Sequence, residues 1–478
     1  MQKSETIKLK EKVGYGLGDA ASSMFLKIFG MYALFFYTDV FGITAAAAGT
    51  MFLAARLWDS FFDLLVGLMA DRTKTRWGRY RPYLLWFAVP FSVMGVITFF
   101  VPEFGSSGKL AYAYITYSLM MIIYSMINVP YASLLGVMTH DPKGRNVLSS
   151  FRMSFAFIGS FIALMLLQPL IDYYAKIFDS AATQLDSGNF IVSSSPVGWV
   201  MGVATIGIIC TALFLLCFSW TRERVEPVNE NENTSVRQDL KNLLHNAPWW
   251  ILVGTGLAAL LFNAVRDGIA IYYFRDYVQV NYRMQGTGWD IATIYLLVGQ
   301  VACLLGVIAA PTLSAKYGKK RTYMIAMAIA AVLSVAFFFI PKQLGWVLLM
   351  QVLISLCAGY VLPLLWSMFS DIVDYQELTT GRRASGLIFS SSSMSQKLGW
   401  ALGSGLTGWI LAWFNYNPDL VKQGIQQSMD TIFGERMMIS LLPAVCCLIA
   451  FFGMMFYPLS DKRVKEIAEE LEQCRKNK

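Results

Sequence analysis

Six stretches of the 478-residue chain, 82–102, 110–139, 198–219, 322–341, 343–370 and 437–460, run without one Asp, Glu, Lys or Arg. About 20 apolar residues cross the hydrocarbon core of a bilayer as a helix. A lipid-embedded backbone must also satisfy its own hydrogen bonds, which helices do within one segment. Six such windows in one chain therefore dictate a multi-spanning helical protein. The composition agrees, with 56% hydrophobic and only 15% charged residues, against about 25% charged in soluble domains. The polar, basic opening MQKSETIKLKEK has no cleavable-leader pattern, so the first apolar segment is expected to be retained.

Hydropathy and turn residues place twelve spans at 14–40, 44–70, 80–102, 110–139, 146–173, 196–220, 248–279, 287–315, 320–341, 343–370, 384–414 and 432–458. The fold class is thus all-α integral membrane. The polar stretch 221–247 divides the spans into an N-terminal six-helix half, 1–220, and a C-terminal half, 248–458, with a cytoplasmic tail at 459–478. The 174–195 stretch is the other long connection. Lys and Arg gather in alternate loops: Arg72, Lys74, Arg76, Arg79 and Arg81; Lys143 and Arg145; Arg222 and Arg224; Lys316, Lys319, Lys320 and Arg321; Arg382 and Arg383. This positive-inside bias puts both termini in the cytoplasm of a plasma membrane, the inner membrane if the cell is bacterial. It also explains the net charge of +8 without nucleic acid, because the basic residues form no single patch.

The halves carry traces of one ancestor. RWGRYRPYLL at 76–85 matches KYGKKRTYMI at 316–325 in residue type, at an offset of 240. Pro130 precedes Asp141 by the same eleven residues that separate Pro363 from Asp374. Two pseudo-symmetric halves around a midplane site are a transporter architecture. The seven cysteines lack CxxC spacing and read as filler. Two histidines at span ends support no His-based metal site, and HExxH, GxSxG and P-loop motifs are absent, so an enzyme is not expected. No cofactor is implied.

Polar residues inside the spans carry the functional signal. AARLWDSFFD at 54–63 sets Asp59 and Asp63 four residues apart, on one helical face. A carboxylate at the centre of a membrane helix costs about 2.5 to 3.5 kcal/mol on insertion scales, and two together repel. Such a pair suits a small hard cation, sodium or a proton, with Lys397 or Lys27 as the expected compensating charge. In the first span Asp19, Ser23 and Lys27 recur every fourth residue. Arg152 in the fifth span offers a planar fork of donors to hydroxyls or a carboxylate. Tyr124 and Tyr131 flank Asn128 and offer ring faces beside its amide. Asp71, Arg72 and Arg76, at a cytoplasmic helix junction, can form a charged latch that gates the two halves.

GYGLGDAASSMFLKIFGMYALFFYTDVFG, ARLWDSFFD, DRTKTRWGRYRPYL, YSMINVPYASL and VDYQEL, in this order and in the right spans, resemble the glycoside–pentoside–hexuronide:cation symporters of the major facilitator superfamily. The resemblance covers nearly the whole chain. It implies that Asp59 and Asp63, joined by the Ser125 hydroxyl, hold the coupling cation. It implies sugar contacts at Ser23, Asn128 and Arg152, and a functional eleventh-span lysine at Lys397. Melibiose-carrying members have aspartates at the positions of Ser23 and Asn128 and a tryptophan at that of Ala132, so the sugar site departs from theirs. The expectation is cation-coupled uptake, by a monomer working in membrane lipid, of a neutral glycoside or short oligosaccharide, xyloside-type rather than melibiose-type. A hexuronide is the alternative, and a lipid or other amphiphile a more distant one.

Overall fold

The computed structural model describes residues 7–139, 142–179, 195–224, 241–279, 289–380, 385–422 and 425–476. All its regular elements are helical: α1 Leu9–Phe35, α2 Ala45–Arg72, α3 Arg81–Thr98, α4 Ser106–Met138, α5 Pro142–Phe178, α6 Pro196–Trp220, α7 Ala247–Tyr272, α8 Ile291–Tyr317, α9 Lys319–Phe339, α10 Leu344–Thr380, α11 Ser385–Trp413, a short α12 Pro418–Lys422, α13 Met429–Ile439, α14 Leu441–Met455 and α15 Asp461–Lys476. Three helices begin at a side-chain cap. Thr44 Oγ1 accepts from Ala47 N (3.3 Å) at α2, Ser195 Oγ from Gly198 N (3.2 Å) at α6, and Asn246 Oδ1 from Trp249 N (3.2 Å) at α7. Prolines occupy the first turns of α3, α6 and α7, where a missing N–H costs nothing.

Among the described residues ten helical segments are long and apolar enough to cross a membrane, α13 and α14 counting as one. The two remaining long helices, α2 and α11, have 28 and 29 residues but fall short in hydropathy. Arg56, Asp59, Asp63, Asp71 and Arg72 lower α2, and a serine-rich stretch with Lys397 lowers α11. The deficit lies in the helices that carry candidate functional residues. α10 continues past the expected residue 370 to Thr380.

The chain divides into two compact units. One comprises Met1–Glu230, Phe274–Leu297 and Gly408–Ser428; the other Asn231–Tyr273, Val298–Thr407 and Met429–Lys478. In the first, α1 packs along α5 so tightly that a β-carbon at Gly159 would collide with the Ala20 carbonyl. In the second, Gly306 and Gly359 bring α8 and α10 into backbone contact. Small residues permit this approach, and van der Waals packing then holds the helices where lipid gives no hydrophobic drive.

Prolines inside helices free carbonyls that lipid cannot satisfy. Pro169 deprives the Met165 carbonyl of its partner, and the Trp289 indole donates to it at 2.8 Å. Pro443 does the same to the Ile439 carbonyl, at the break between α13 and α14, and Arg266 Nη1 donates there at 2.9 Å while Nη2 binds Gln351 Oε1 at 2.6 Å. Arg266 is thereby committed to holding three helices of its unit together.

The repeated basic motif builds the same joint twice. Gly78 (φ 109°) and Gly318 (φ 87°) take the left-handed turn that glycine allows. After Gly78, the Glu223 carboxylate accepts from the backbone N–H groups of Arg79, Tyr80 and Arg81, each at 2.8 Å, at the start of α3. After Gly318, Asp461 accepts from Lys319 N at 3.0 Å at the start of α9. Arg81 donates to the Phe218 carbonyl (2.6 Å) in the last turn of α6, and Lys320 to the carbonyls of Met455 and Tyr457 (2.9 and 2.7 Å) at the end of α14. Anionic caps at helix starts and cations at helix ends both follow the helix dipole.

α1 and α7 also finish alike, in π-helical turns at Phe36–Val40 and Tyr273–Val278. There Arg275, buried, binds Asp39 (2.6 Å), Asp276 (2.8 Å) and the Tyr416 hydroxyl (2.7 Å), and Tyr416 donates to Asp39 (2.6 Å).

Candidate functional site

α2, α4, α1 and α5 of the first unit carry the polar residues singled out above. Asp59 is fully buried, and Ser125 Oγ of α4 donates to its Oδ1. Burying a carboxylate requires hydrogen bonds and a counter-charge. One counter-charge is Arg56, one turn back on the same helix, with Nη1 3.8 Å from Asp59 Oδ2. Arg56 and Asp59 also interact with Tyr117 of α4. Asp63 follows one turn later, half-buried, with Oδ1 shielded from solvent. Two carboxylates and a hydroxyl thus line one stretch of α2 facing α4. Among the described residues no group of three or more His, Cys, Asp or Glu forms a transition-metal site; oxygen donors alone suit a hard monovalent cation or a proton.

A second cluster lies between α1 and α5. Arg152 Nε donates to Asp19 Oδ2 at 3.2 Å, with side chains 27% and 12% exposed. The guanidinium lies 5.3 Å from the Tyr131 ring centroid, and Tyr131 stacks on Tyr15 at 4.8 Å while its hydroxyl donates to the Tyr15 carbonyl (2.6 Å). Cation–π attraction and the ion pair together fix the guanidinium plane. Tyr124, 5% exposed, directly precedes Ser125 on α4, and its ring centroid lies 6.4 Å from that of Phe91. Asn128, one turn beyond Tyr124 on α4, has a buried Oδ1 with no hydrogen-bond donor among the described residues.

The structure therefore brings Asp19, Asp59, Asp63, Tyr124, Ser125, Tyr131 and Arg152 into one neighbourhood of the first unit. Ser23 and Lys27 are half-buried on α1. Lys397 is half-buried on α11, in the other unit. Arg72 and Arg76 are exposed, Arg76 stacking on Trp77 at 4.3 Å. Asp71 ends α2, and its side chain lies outside the described residues. Sequence reasoning missed Arg56 as the partner of Asp59, although the three-residue spacing was there to read. It also missed the Asp39–Arg275 pair, whose partners lie 236 positions apart and share no motif.

Comparison with known proteins fits this geometry. The profile of the family described as MFS/sugar transport protein matches residues 14–461. The chain is 34% identical to the putative glycoside/cation symporter YagG of Escherichia coli (strain K12), covering 97% of this chain and 95% of that one. It is 32% identical to the isoprimeverose transporter of Lactiplantibacillus pentosus (97% and 91% covered) and 31% identical to the glucuronide carrier protein homolog of E. coli K12 (97% and 95%). Its fold matches a bacterial homolog of the human lysosomal transporter Spinster, with a TM-score of 0.70, 14% identity and 95% and 97% coverage. The nucleoside transporter NupG follows at 0.62, with 15% identity and 95% and 100% coverage. With its buried carboxylates, its helical membrane fold and these relatives, the chain belongs to the glycoside–pentoside–hexuronide:cation symporters, the sugar-transporting branch of the major facilitator superfamily.

Proposed function

We propose that the protein couples the movement of sodium or a proton to uptake of a neutral glycoside or short oligosaccharide by alternating access, with xylosides favoured over melibiose. The observation that carries this reading is that α4 meets both clusters: its Ser125 donates to the buried Asp59, and its Tyr131 ring lies 5.3 Å from the guanidinium of Arg152, which is paired with Asp19. A cation at Asp59, Asp63 and Ser125 changes the charge felt by the neighbouring sugar ligands, which is what coupling requires. Asn128 donates and accepts without bringing charge, and Tyr131 and Arg152 complete a surface for hydroxyls and a ring face. Ser23, Lys27 and Lys397 join the substrate path. A relative named for isoprimeverose, itself a xyloside, supports the substrate class.

In this reading residues 1–220 and 248–458 are the rocking halves, joined by the 221–247 linker. Both termini lie in the cytoplasm, and the protein works as a monomer in the plasma membrane. Asp71, Arg72 and Arg76 gate the cytoplasmic side. Proteoliposomes test the proposal. A sodium or proton gradient should drive accumulation of a labelled xyloside, and Asp59→Asn should abolish accumulation while leaving folded protein. Accumulation by Asp59→Asn against a gradient would overturn the cation assignment. A gradient-driven substrate that is a lipid would overturn the sugar assignment.

A further inference from the structure

Arg152 is the most versatile ligand in the site, because a guanidinium binds a neutral diol or, more strongly, a carboxylate in a bidentate fork. Left alone in a half-buried pocket it would select anions. It is not left alone, since its Nε is already bound to Asp19 Oδ2. The Tyr15 hydroxyl also lies beside the guanidinium, and Asp19 is the one carboxylate bonded to it among the described residues. The pairing is also rigid. Gly159, seven residues beyond Arg152 on α5 and on the same face, touches the backbone of Ala20, the neighbour of Asp19. Gly16 and Gly18 of α1 lie against the rings of Phe155 and Tyr131 in the same way. The approaches of Gly159 and Gly16 fix the α1–α5 distance, that of Gly18 sets α1 against Tyr131 of α4, and together they limit the reach of the Asp19 carboxylate.

We propose that Asp19 determines specificity by excluding hexuronides: it occupies Arg152, so that a ligand carboxylate would place two anions on one guanidinium. An uncharged glycoside meets no such conflict and hydrogen-bonds to the Nη side of Arg152. The proposal rests on the glycoside reading above and deepens it. Removing the carboxylate leaves a half-buried cation without its partner, which a uronate can then supply. The chain would change preference at one position without any change of cavity shape.

Equilibrium binding to purified full-length protein tests this, with an aryl xyloside, an aryl glucuronide and the methyl ester of that glucuronide as probes. The wild type should bind the uncharged ester at least tenfold more tightly than the acid. Asp19→Asn should raise the glucuronide-to-xyloside affinity ratio at least tenfold. Adding Arg152→Gln to Asp19→Asn should erase the gain. Equal binding of acid and ester by the wild type would overturn the inference even if Asp19→Asn fails to fold. So would an unchanged glucuronide-to-xyloside ratio in Asp19→Asn, equal loss of both ligands, or a gain that survives Arg152→Gln, which would place the uronate elsewhere. Binding of no glycoside by the wild type would instead remove the function on which the inference stands.

Discussion

Arg56 and Asp59 form an internal salt bridge in the helix proposed to bind the coupling ion, so the ion and the arginine compete for one carboxylate. The pair is loose, at 3.8 Å, and shared with Tyr117. A loose partner stabilises the empty site and yields when a cation arrives. Arg56→Gln should therefore tighten apparent cation affinity at least threefold in uptake titrations. An affinity left unchanged would show that Arg56 does not oppose the cation. The carboxylates themselves were legible in sequence, because two acids at helical spacing in an apolar run have few other uses. Their neutralisation was less so. Sequence reasoning turned to Lys27 and Lys397 and passed over Arg56, which needed only the helix geometry that had placed Asp63.

Two helices of this protein depend on side chains from distant segments where proline interrupts them, at Pro169 and at Pro443. Arg266 stands in for the N–H that Pro443 lacks, from a position 173 residues away. Arg266→Leu should lower stability by about 1–3 kcal/mol, the cost of a buried carbonyl left without its partner. Pro443→Ala restores the missing donor, so in that background the same Arg266→Leu change should cost less. Thermal unfolding in detergent of the two single variants and the double variant reads this coupling, and strict additivity would show that Arg266 does not act through Ile439. The prolines, the caps and the extent of most helices could be read directly from the sequence. The partners of the freed carbonyls could not, because backbone acceptors have no sequence signature and any buried donor can serve.

At the scale of the chain, internal duplication shows at several levels. The offset of 240 between the basic motifs was visible in the sequence, and the structure gives it content: in each half a glycine turn, an acidic cap (Glu223 or Asp461) and a cation of the motif (Arg81 or, one position out of register, Lys320) on the end of the sixth long helix. The paired π-helical endings of α1 and α7 extend the likeness. Within the first unit, Arg275 ties the two endings together through Asp39 and Asp276. Breaking a buried pair by removing one partner costs about 3–5 kcal/mol, so Arg275→Gln should lower the unfolding temperature clearly and raise hydrogen exchange in 36–40 and 274–278. Asp39→Asn/Arg275→Gln together should cost less than the sum of the single changes. Equal exchange in wild type and Arg275→Gln would reduce the pair to a local contact. The net of these bonds was illegible beforehand because it joins residues that only the fold brings together.

The acidic cap at α9 is supplied by Asp461, the first residue of a terminal helix that looked in sequence like an ordinary surface appendage. In practical terms the carboxyl terminus is a fastener. Ile467 and Leu471 bury against the protein, and Asp461 reaches the Gly318 turn. A reporter or purification handle appended after Lys478 should leave expression intact. A polypeptide ending at Ser460 should be produced at lower yield and melt earlier, by the roughly 1 kcal/mol of a lost helix cap together with the apolar burial of α15. The trimming usually applied to charged tails before crystallisation would here remove part of the machinery of the fold.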